Sequence, residues 1–274
     1  NALKEFRTFE PKPVIKKTPK TDPQFMDVAY ELLASGLSHP AITFHDNAAK
    51  GMNSYGYFDP EDVKDYCHIG CAELGIAGKA YTDPMNGFIN LAKAVLVTMN
   101  GGYMNGKLIG IKQEIPDTFE QFEKNYIEQV NHFIDLYVSE TNRANPVYAQ
   151  LFTRPLISAS IDGCIEKAQF VDEGGSKYWV KSVESCGIAT AADSLYAIKK
   201  VVYEDRQKTM KEFSDILDSD FKNNEVFRTY LEKKLPKFGN GNEEVDAIFK
   251  DIAENFCAHV KTCRTYIGTI YRPG

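Results

Sequence analysis

The stretch DYCHIGCAELGIAGK, residues 65–79, brings two cysteines, a histidine and a glutamate close together in a chain of 274 residues. It continues from DPEDVK, residues 59–64, which has the pattern of a helix start with Asp59 as N-cap, so we expect it to lie on a loop after a helix. If this loop is extended, alternate side chains point to the same side. The Cys71 thiol and the Glu73 carboxylate would then face one small molecule. Such a pair suits a reaction that removes a hydrogen atom and a proton from neighbouring atoms.

The same residues offer three other chemistries. Cys67, His68 and Cys71 could donate to zinc or to an iron–sulfur cluster, but no second ligand pair lies nearby in the sequence to complete such a site. Cys67 and Cys71 are four residues apart, which differs from the two-residue gap of thioredoxin-type redox pairs. A cysteine–histidine hydrolase needs an imidazole base, and no histidine is distinguished by its sequence context. We therefore expect no bound metal and keep the hydrolase as a separate hypothesis.

Composition excludes several classes of protein. The net charge is −6, whereas nucleic-acid-binding proteins carry a basic stripe, so no nucleic-acid partner is expected. No apolar run approaches the roughly 20 residues that cross a bilayer, and the first residues have charges and prolines instead of a secretory signal. With irregularly spaced cysteines, these features predict a cytoplasmic protein with reduced thiols and no membrane partner. Four of the cysteines are interpreted as small buried hydrophobic residues: Cys164, Cys186, Cys257 and Cys263.

Helical patterns dominate the chain. A helix is predicted from Pro23, with Asp22 as its N-cap, to a stop at Gly36. Residues 116–144 place aromatic side chains at three- and four-residue steps, which predicts a long amphipathic helix. Residues 177–185 are rich in aromatic and β-branched side chains and predict a strand. Because long helices alternate with short strands, we expect an α/β fold with buried strands. A buried strand is also predicted at residues 41–45, and further helices within 87–102, 190–205, 209–221 and 242–260.

Five blocks of sequence occur in the order found in glycyl radical enzymes, the pyruvate formate-lyase-like superfamily. The chain resembles that family from about residue 11 to its end. The blocks are DYCHIGCAELGIAGK, GFINLAKAVLVTMNGG, SIDGCIEKAQFVDEGGSKYW, GIATAADSLYAIKKVVYED and LPKFGNGNEEVD. The resemblance implies part, about half, of a ten-stranded α/β barrel that contains the cysteine loop and is surrounded by helices. Residues 1–23 would be an extended lead-in, and residues 24–274 a partial barrel domain.

In this family a glycine-flanked cysteine lies at the tip of a loop inside the barrel. A glycyl radical elsewhere in the polypeptide oxidises it to a thiyl radical, which takes a hydrogen atom from the substrate. The resemblance makes Cys71 the radical cysteine and Glu73 the acid or base that moves a proton on the adjacent heteroatom. Because Ala72 and Glu73 follow Cys71 where the formate-lyase branch has a second cysteine, the sequence is similar to the dehydratase, lyase and decarboxylase branch.

One departure from the family pattern concerns substrate recognition. The vicinal-diol dehydratases carry an aspartate fourteen residues after the cysteine. Here that position is Met85, and the nearest acid is Asp83. We interpret both residues as substrate-binding, and we expect a substrate other than a vicinal diol to be a candidate.

A second departure concerns the radical itself. The family's glycyl motif, Arg-Val-Ser/Ala-Gly-Tyr/Phe, does not occur in these 274 residues, and the nearest match, RTYIG at 264–268, has the wrong spacing. The chain therefore resembles an internal fragment, or one part of a split enzyme, and is expected to be inactive alone. The resemblance implies four partners: a small-molecule substrate, a radical-SAM activating enzyme, the remainder of the enzyme chain, and a second copy in a homodimer. The activating enzyme would install the glycyl radical elsewhere in the full polypeptide, and no cofactor is expected to bind this chain directly.

The expected function is thus glycyl-radical chemistry on a small polar organic substrate, leading to dehydration, elimination, or cleavage of a carbon–carbon or carbon–heteroatom bond. The alternative is a catalytically inert relative or fragment that serves as a structural or partner-binding module, with Cys71 as a core thiol. A reading frame that continues to the glycyl motif would favour the enzyme.

Overall fold

The computed structural model describes residues 2–7, 12–69, 73–83 and 87–274. The helices are α1 (Ala2–Phe6), α2 (Pro23–Ala34), α3 (His45–Asn53), α4 (Pro60–Val63), α5 (Leu91–Met99), α6 (Phe119–Leu151), α7 (Pro155–Ala159), α8 (Cys164–Lys167), α9 (Ile188–Ile198), α10 (Met210–Asp218), α11 (Glu225–Lys233) and α12 (Glu243–Thr262). The strands are β1 (Val14–Lys17), β2 (Ala41–Phe44), β3 (Tyr66–Ile69), β4 (Glu73–Ile76), β5 (Ala80–Asp83), β6 (Phe88–Asn90), β7 (Tyr103–Met104), β8 (Lys107–Leu108), β9 (Tyr178–Cys186) and β10 (Tyr271–Pro273). A 3₁₀ turn at Val171–Glu173 and a π-helical turn at Lys199–Glu204 complete the regular structure.

The chain divides into two compact units. The first comprises residues 1–84 and 149–180, and the second comprises residues 85–148 and 181–274. The predicted lead-in, residues 1–23, contains α1 and β1 and belongs to the first unit. Within the described part of the chain, no helix has the length and apolar character needed to cross a membrane.

The first unit is built from short elements whose ends are fixed by local signals. The side chain of Asp22 accepts a hydrogen bond from the Gln24 amide at 2.9 Å, which caps α2 as predicted. Asp59 caps α4 in the same way through the Glu61 amide. β1 and β2 pair in parallel, and β3 and β4 form an antiparallel hairpin.

β2 confirms the strand predicted at residues 41–45, with two differences. The strand ends at Phe44, because His45 begins α3. It is also not a buried strand: its residues are partly buried, and Phe44 is 51% exposed. A two-stranded parallel sheet covers only part of each strand, so an apolar sequence here does not mean complete burial.

In the second unit, parallel strands are packed against helices, which confirms the predicted α/β class. Residues 181–183 of β9 pair in parallel with β10, and residues 184–186 pair in parallel with β6. The strand predicted at residues 177–185 is confirmed by β9, which is buried over most of its length. β9 places Val183 in the hydrophobic core and also buries polar side chains, among them Lys181 and Glu184, so its burial does not alternate along the strand.

The long predicted helix is α6, which extends to Leu151, beyond the predicted residue 144. Its inward face follows the aromatic pattern of the sequence, since Phe122, Tyr126 and Ile134 are each 0% exposed. On the same helix the buried Gln129 side chain accepts a hydrogen bond from the Ile111 amide at 2.8 Å and donates one to the Ile111 carbonyl at 2.6 Å. The Gln129 side-chain amide thereby provides hydrogen-bond partners for the backbone N–H and C=O of Ile111, which lies outside any helix or strand.

Phe122 provides a direct test of this packing. Replacement by alanine removes a fully buried ring from the core that α5, α6, α9 and α12 share, so we expect the free energy of unfolding to fall by about 3–5 kcal/mol. The measurement is urea denaturation followed by circular dichroism. The matched control is Leu136→Ala on the same helix, where the side chain is 47% exposed and the expected change is within about 0.5 kcal/mol. Equal losses of unfolding free energy in the two variants would show that the inward face of α6 has been assigned wrongly.

Candidate functional site

The candidate site is built on the β3–β4 hairpin. Its register pairs Ile69 with Glu73 and Tyr66 with Ile76, so three residues, 70–72, connect the two strands. Cys71 is the central one and lies outside the described residues. The hairpin corrects the prediction of a loop after a helix, because Cys67 and His68 lie in β3 and Glu73 is the first residue of β4.

The register assigns the side chains to two faces, because residues opposite each other in an antiparallel pair share a face. Cys67, Ile69 and Glu73 lie on one face, and Tyr66 and His68 lie on the other. Glu73 is partly buried. The Glu73 carboxylate therefore lies directly after residues 70–72, on the face of the hairpin opposite to the His68 ring.

The Tyr66–His68 face packs against other elements of the first unit. Thr43 Oγ1 in β2 lies 2.5 Å from His68 Nε2, a short hydrogen bond. The His45 ring stacks on the Tyr66 ring with 5.5 Å between centroids. Lys16 Nζ donates to the Tyr66 carbonyl at 2.8 Å and lies 4.1 Å from the centre of the Tyr66 ring. These contacts hold β3 from one side.

A buried carboxylate ties together the two ends of the hairpin. Asp62, in α4 before β3, accepts hydrogen bonds from Lys79 Nζ at 2.5 Å, Lys177 Nζ at 2.6 Å and the Tyr178 hydroxyl at 2.7 Å. The hydrogen bonds from Lys177, Lys79 and Tyr178 hold the pKa of Asp62 well below its usual range, so the group stays ionised. Because Lys79 follows β4 and Asp62 precedes β3, the pair closes the base of the hairpin.

The electrostatic environment of His68 keeps its ring neutral. Burial lowers the pKa of His68, the Glu73 carboxylate raises it, and the Lys16 ammonium lowers it. The net direction is downward from the ordinary value of 6.5. The neutral ring fits its contact with the Thr43 hydroxyl, because each group can act as donor or acceptor there.

The shifted pKa of His68 predicts a pH dependence of stability. The unfolded chain binds a proton at His68 below about pH 6.5, while the folded chain does not until a lower pH. Since the unfolded state then holds more protons, stability falls as pH drops below about 6.5 and levels off below the folded pKa. We expect His68→Gln to remove part of this acid-induced loss, measured as the difference in unfolding midpoint between neutral and mildly acidic buffer. His132→Gln, in the second unit, is the control. If the midpoint of His68→Gln fell by as much as that of the wild type in acidic buffer, His68 would not be the cause of the acid-induced loss.

The remaining predicted site residues are only partly described. Asp83 is the last residue of β5, and only its backbone is described. Met85, like Cys71, lies outside the described residues. The convergence of the Cys71 and Glu73 side chains, and the role of Asp83 and Met85 in binding substrate, therefore stay predictions.

The strand assignment bears on the other chemistries considered for this stretch. Cys67 and His68 are neighbours in β3 and point to opposite faces, so they are poorly arranged to bind one metal ion. Cys67 is a free thiol in a strand. Of the thiols interpreted as buried, Cys164 and Cys263 are buried, whereas Cys186 and Cys257 are partly exposed.

Sequence reasoning missed the residues that support the hairpin. Thr43 and Lys16 meet β3 from 25 and 50 residues away, and Lys177 meets Asp62 from 115 residues away. The sequence shows no pattern at these separations, so the contacts emerge only from the fold.

Comparison with known proteins gives consistent matches. The family model described as "Pyruvate formate lyase-like" matches residues 1–274. The trans-4-hydroxy-L-proline dehydratase of Clostridioides difficile is 28% identical over 99% of this chain and 35% of the relative. The glycerol-bound B12-independent glycerol dehydratase of Clostridium butyricum superposes with a TM-score of 0.86 at 31% identity, covering 100% of this chain and 35% of that structure. A glycyl radical enzyme from Archaeoglobus fulgidus gives a TM-score of 0.86 at 27% identity, over 98% of this chain and 34% of its own. The chain thus spans about a third of the length of the relatives that it matches.

Proposed function

Because this chain belongs to the pyruvate formate lyase-like family of glycyl radical enzymes, we propose that it supplies the radical cysteine loop and the proton-transferring carboxylate of a lyase. The substrate class is a small polar organic molecule. The reaction is dehydration, another elimination, or cleavage of a carbon–carbon or carbon–heteroatom bond. The observation that carries the proposal is the β3–β4 hairpin, which puts Glu73 at the start of a strand, two residues after Cys71.

In the proposed dehydration, Cys71 and Glu73 act on adjacent atoms of the substrate. The glycyl radical supplies the one-electron oxidation of the Cys71 thiol. The Cys71 sulfur then takes a hydrogen atom from a substrate C–H bond, which gives S–H and a carbon radical. Glu73 takes a proton from the heteroatom on that carbon and passes it to the hydroxyl of the neighbouring carbon, which leaves as water. Return of a hydrogen atom from Cys71 to the product radical completes the balance.

The hairpin supports this chemistry by fixing the carboxylate. The Asp62–Lys79 ion pair holds the base of the hairpin, and the Thr43–His68 hydrogen bond fixes one face, so Glu73 starts from a rigid strand. Rigid support matters because proton transfer needs heavy atoms at about 2.6–3.2 Å from each other. A thiyl radical also needs a water-excluding site. We propose that the Glu73 face contributes to that enclosure.

The rest of the machinery is proposed to lie outside this chain. The chain spans about a third of its relatives, so the radical glycine and further substrate-binding groups are assigned to the remainder of the enzyme. A radical-SAM activating enzyme is the proposed partner that installs the radical. Asp83 and Met85 are the proposed substrate contacts from this chain.

The proposal is tested by activating the complete polypeptide that contains this sequence. The protein is produced anaerobically with its activating enzyme, the glycyl radical is counted by electron paramagnetic resonance, and a panel of small hydroxylated substrates is followed by mass spectrometry. The expected result is a glycyl doublet together with elimination of water or another leaving group from one member of the panel. A full radical signal without loss of any substrate would favour the inert relative, and the absence of any radical after activation would overturn the proposal.

A further inference from the structure

Three side chains that commonly bind transition metals lie together in the second unit. They are Asp135 in α6, His259 in the last turn of α12, and Cys263 directly after that helix. One ligand atom from each, an oxygen, a nitrogen and a sulfur, lies within 4.8 Å of the other two. Among the described residues, no other group of three or more histidine, cysteine and acidic side chains meets this criterion.

We propose that Asp135, His259 and Cys263 bind one divalent transition-metal ion of the zinc type. His259 and Cys263 are four residues apart, which places them one helical turn from each other on the same side. Bonds of about 2.3 Å to sulfur and about 2.0–2.2 Å to nitrogen and oxygen put the ligand atoms of a tetrahedral site roughly 3–4 Å apart. His259 Nε2 and Asp135 Oδ1 are 2.8 Å apart, so a small side-chain rotation opens room for the ion. A water molecule would complete the four ligands.

The donor set selects the class of metal. A thiolate and an imidazole favour zinc and similar ions, whereas magnesium and calcium prefer oxygen ligands only. Cys263 releases its proton to solvent on binding, and the carboxylate and thiolate then balance the two positive charges. Cys263 is 8% exposed, and Asp135 is exposed, so the ion has a path from solvent to the buried sulfur. The nearby Arg264 guanidinium donates to the carbonyl oxygens of Lys261 and Cys263. The Cys263 thiol donates to the His259 carbonyl at 3.6 Å, and loss of the thiol proton on metal binding ends that hydrogen bond.

Such an ion would link two helices at the point where the chain leaves α12 for β10. This region is already tied to α6 by Asn142, whose Nδ2 donates to the Arg264 carbonyl at 2.9 Å and whose Oδ1 accepts from the Tyr271 hydroxyl at 3.0 Å. The metal would add a link between α6 and the end of α12. The competing explanation is a simple Asp135–His259 ion pair beside a buried thiol, which requires no metal.

The test is a titration of the reduced, chelator-treated 274-residue chain with Co²⁺ under anaerobic conditions. We expect one Co²⁺ per chain, a sulfur-to-cobalt charge-transfer absorption in the near ultraviolet, and displacement by Zn²⁺. Cys263→Ser is expected to lose that absorption. Asp135→Asn is expected to lower the affinity for Co²⁺ by at least about 10-fold. Cys257→Ser, in the same helix but outside the group, is the matched control and should behave like the wild type.

Absence of the charge-transfer absorption in the wild type would overturn the proposal. So would its persistence in Cys263→Ser, or its loss in Cys257→Ser or Cys67→Ser with Cys263 intact. Because Asp135 is exposed, Asp135→Asn is expected to keep the fold, so the affinity measurement decides the question even if Cys263→Ser is unstable. Unchanged affinity in Asp135→Asn would show that Asp135 is not a ligand and would overturn the proposed three-residue site.

Discussion

Cys71→Ser is expected to abolish turnover in the activated complete enzyme while leaving the glycyl radical at the wild-type level. An alcohol O–H bond is stronger than a thiol S–H bond, so the radical cannot oxidise serine in place of cysteine. Because the radical is proposed to reside elsewhere in the polypeptide, its electron paramagnetic resonance signal reports activation independently of residue 71. The measurement is product formation per radical.

The matched control for this variant is Cys67→Ser, four residues earlier in β3. Cys67 is a free, partly buried thiol, and the proposed chemistry does not use it. We expect Cys67→Ser to retain most of the wild-type activity. Turnover by Cys71→Ser, or a complete loss in Cys67→Ser with the radical intact, would show that the wrong cysteine has been assigned.

Glu73→Gln is expected to lower turnover by about 10²–10⁴-fold, the usual contribution of a positioned acid or base. Glutamine keeps the size of the side chain but cannot accept the proton from the substrate heteroatom. The loss should appear in kcat, and the glycyl radical signal should stay unchanged. Because proton transfer would then limit turnover, the primary isotope effect on hydrogen-atom removal by Cys71 should become smaller in this variant.

Glu61→Gln provides the control for this substitution. Glu61 lies in α4, where it is exposed and forms a salt bridge with Lys64 at 2.6 Å. The same change of charge there is expected to leave turnover within a factor of about 2, since an exposed pair contributes little. Equal losses in the two variants would point to a general effect of charge, and full activity in Glu73→Gln would remove Glu73 from the mechanism.

Local signals in the sequence predicted local structure well. Asp22 and Asp59 cap the helices that they were expected to cap, because a cap depends only on the next few residues. The strand at 177–185 was also predicted, since its aromatic and β-branched composition is unusual for this chain. The hairpin was missed because β3 and β4 are short, glycine-punctuated and without clear alternation, so their pairing gives no periodic signal.

The candidate site was predictable in part. Cys71 and Glu73 were singled out by their spacing, and the resemblance to a family gave them roles that stay predictions. The match over residues 1–274 confirms the family itself. The supporting contacts could not be predicted, since Asp62 and Lys177 are 115 positions apart in the sequence. The group formed by Asp135 and His259, 124 positions apart, was missed for the same reason. The only sequence signal for it is the four-residue spacing of His259 and Cys263.

The pairing of β9 with β10 sets a limit on how this chain can be shortened. Residues 271–273 cover residues 181–183 of β9, and the Gly274 amide extends the ladder with a 3.0 Å hydrogen bond to the Val183 carbonyl. Deleting these last four residues would expose unpaired backbone groups along a strand that is otherwise buried. Such an edge recruits strands from other molecules. A truncated chain would therefore be prone to aggregate.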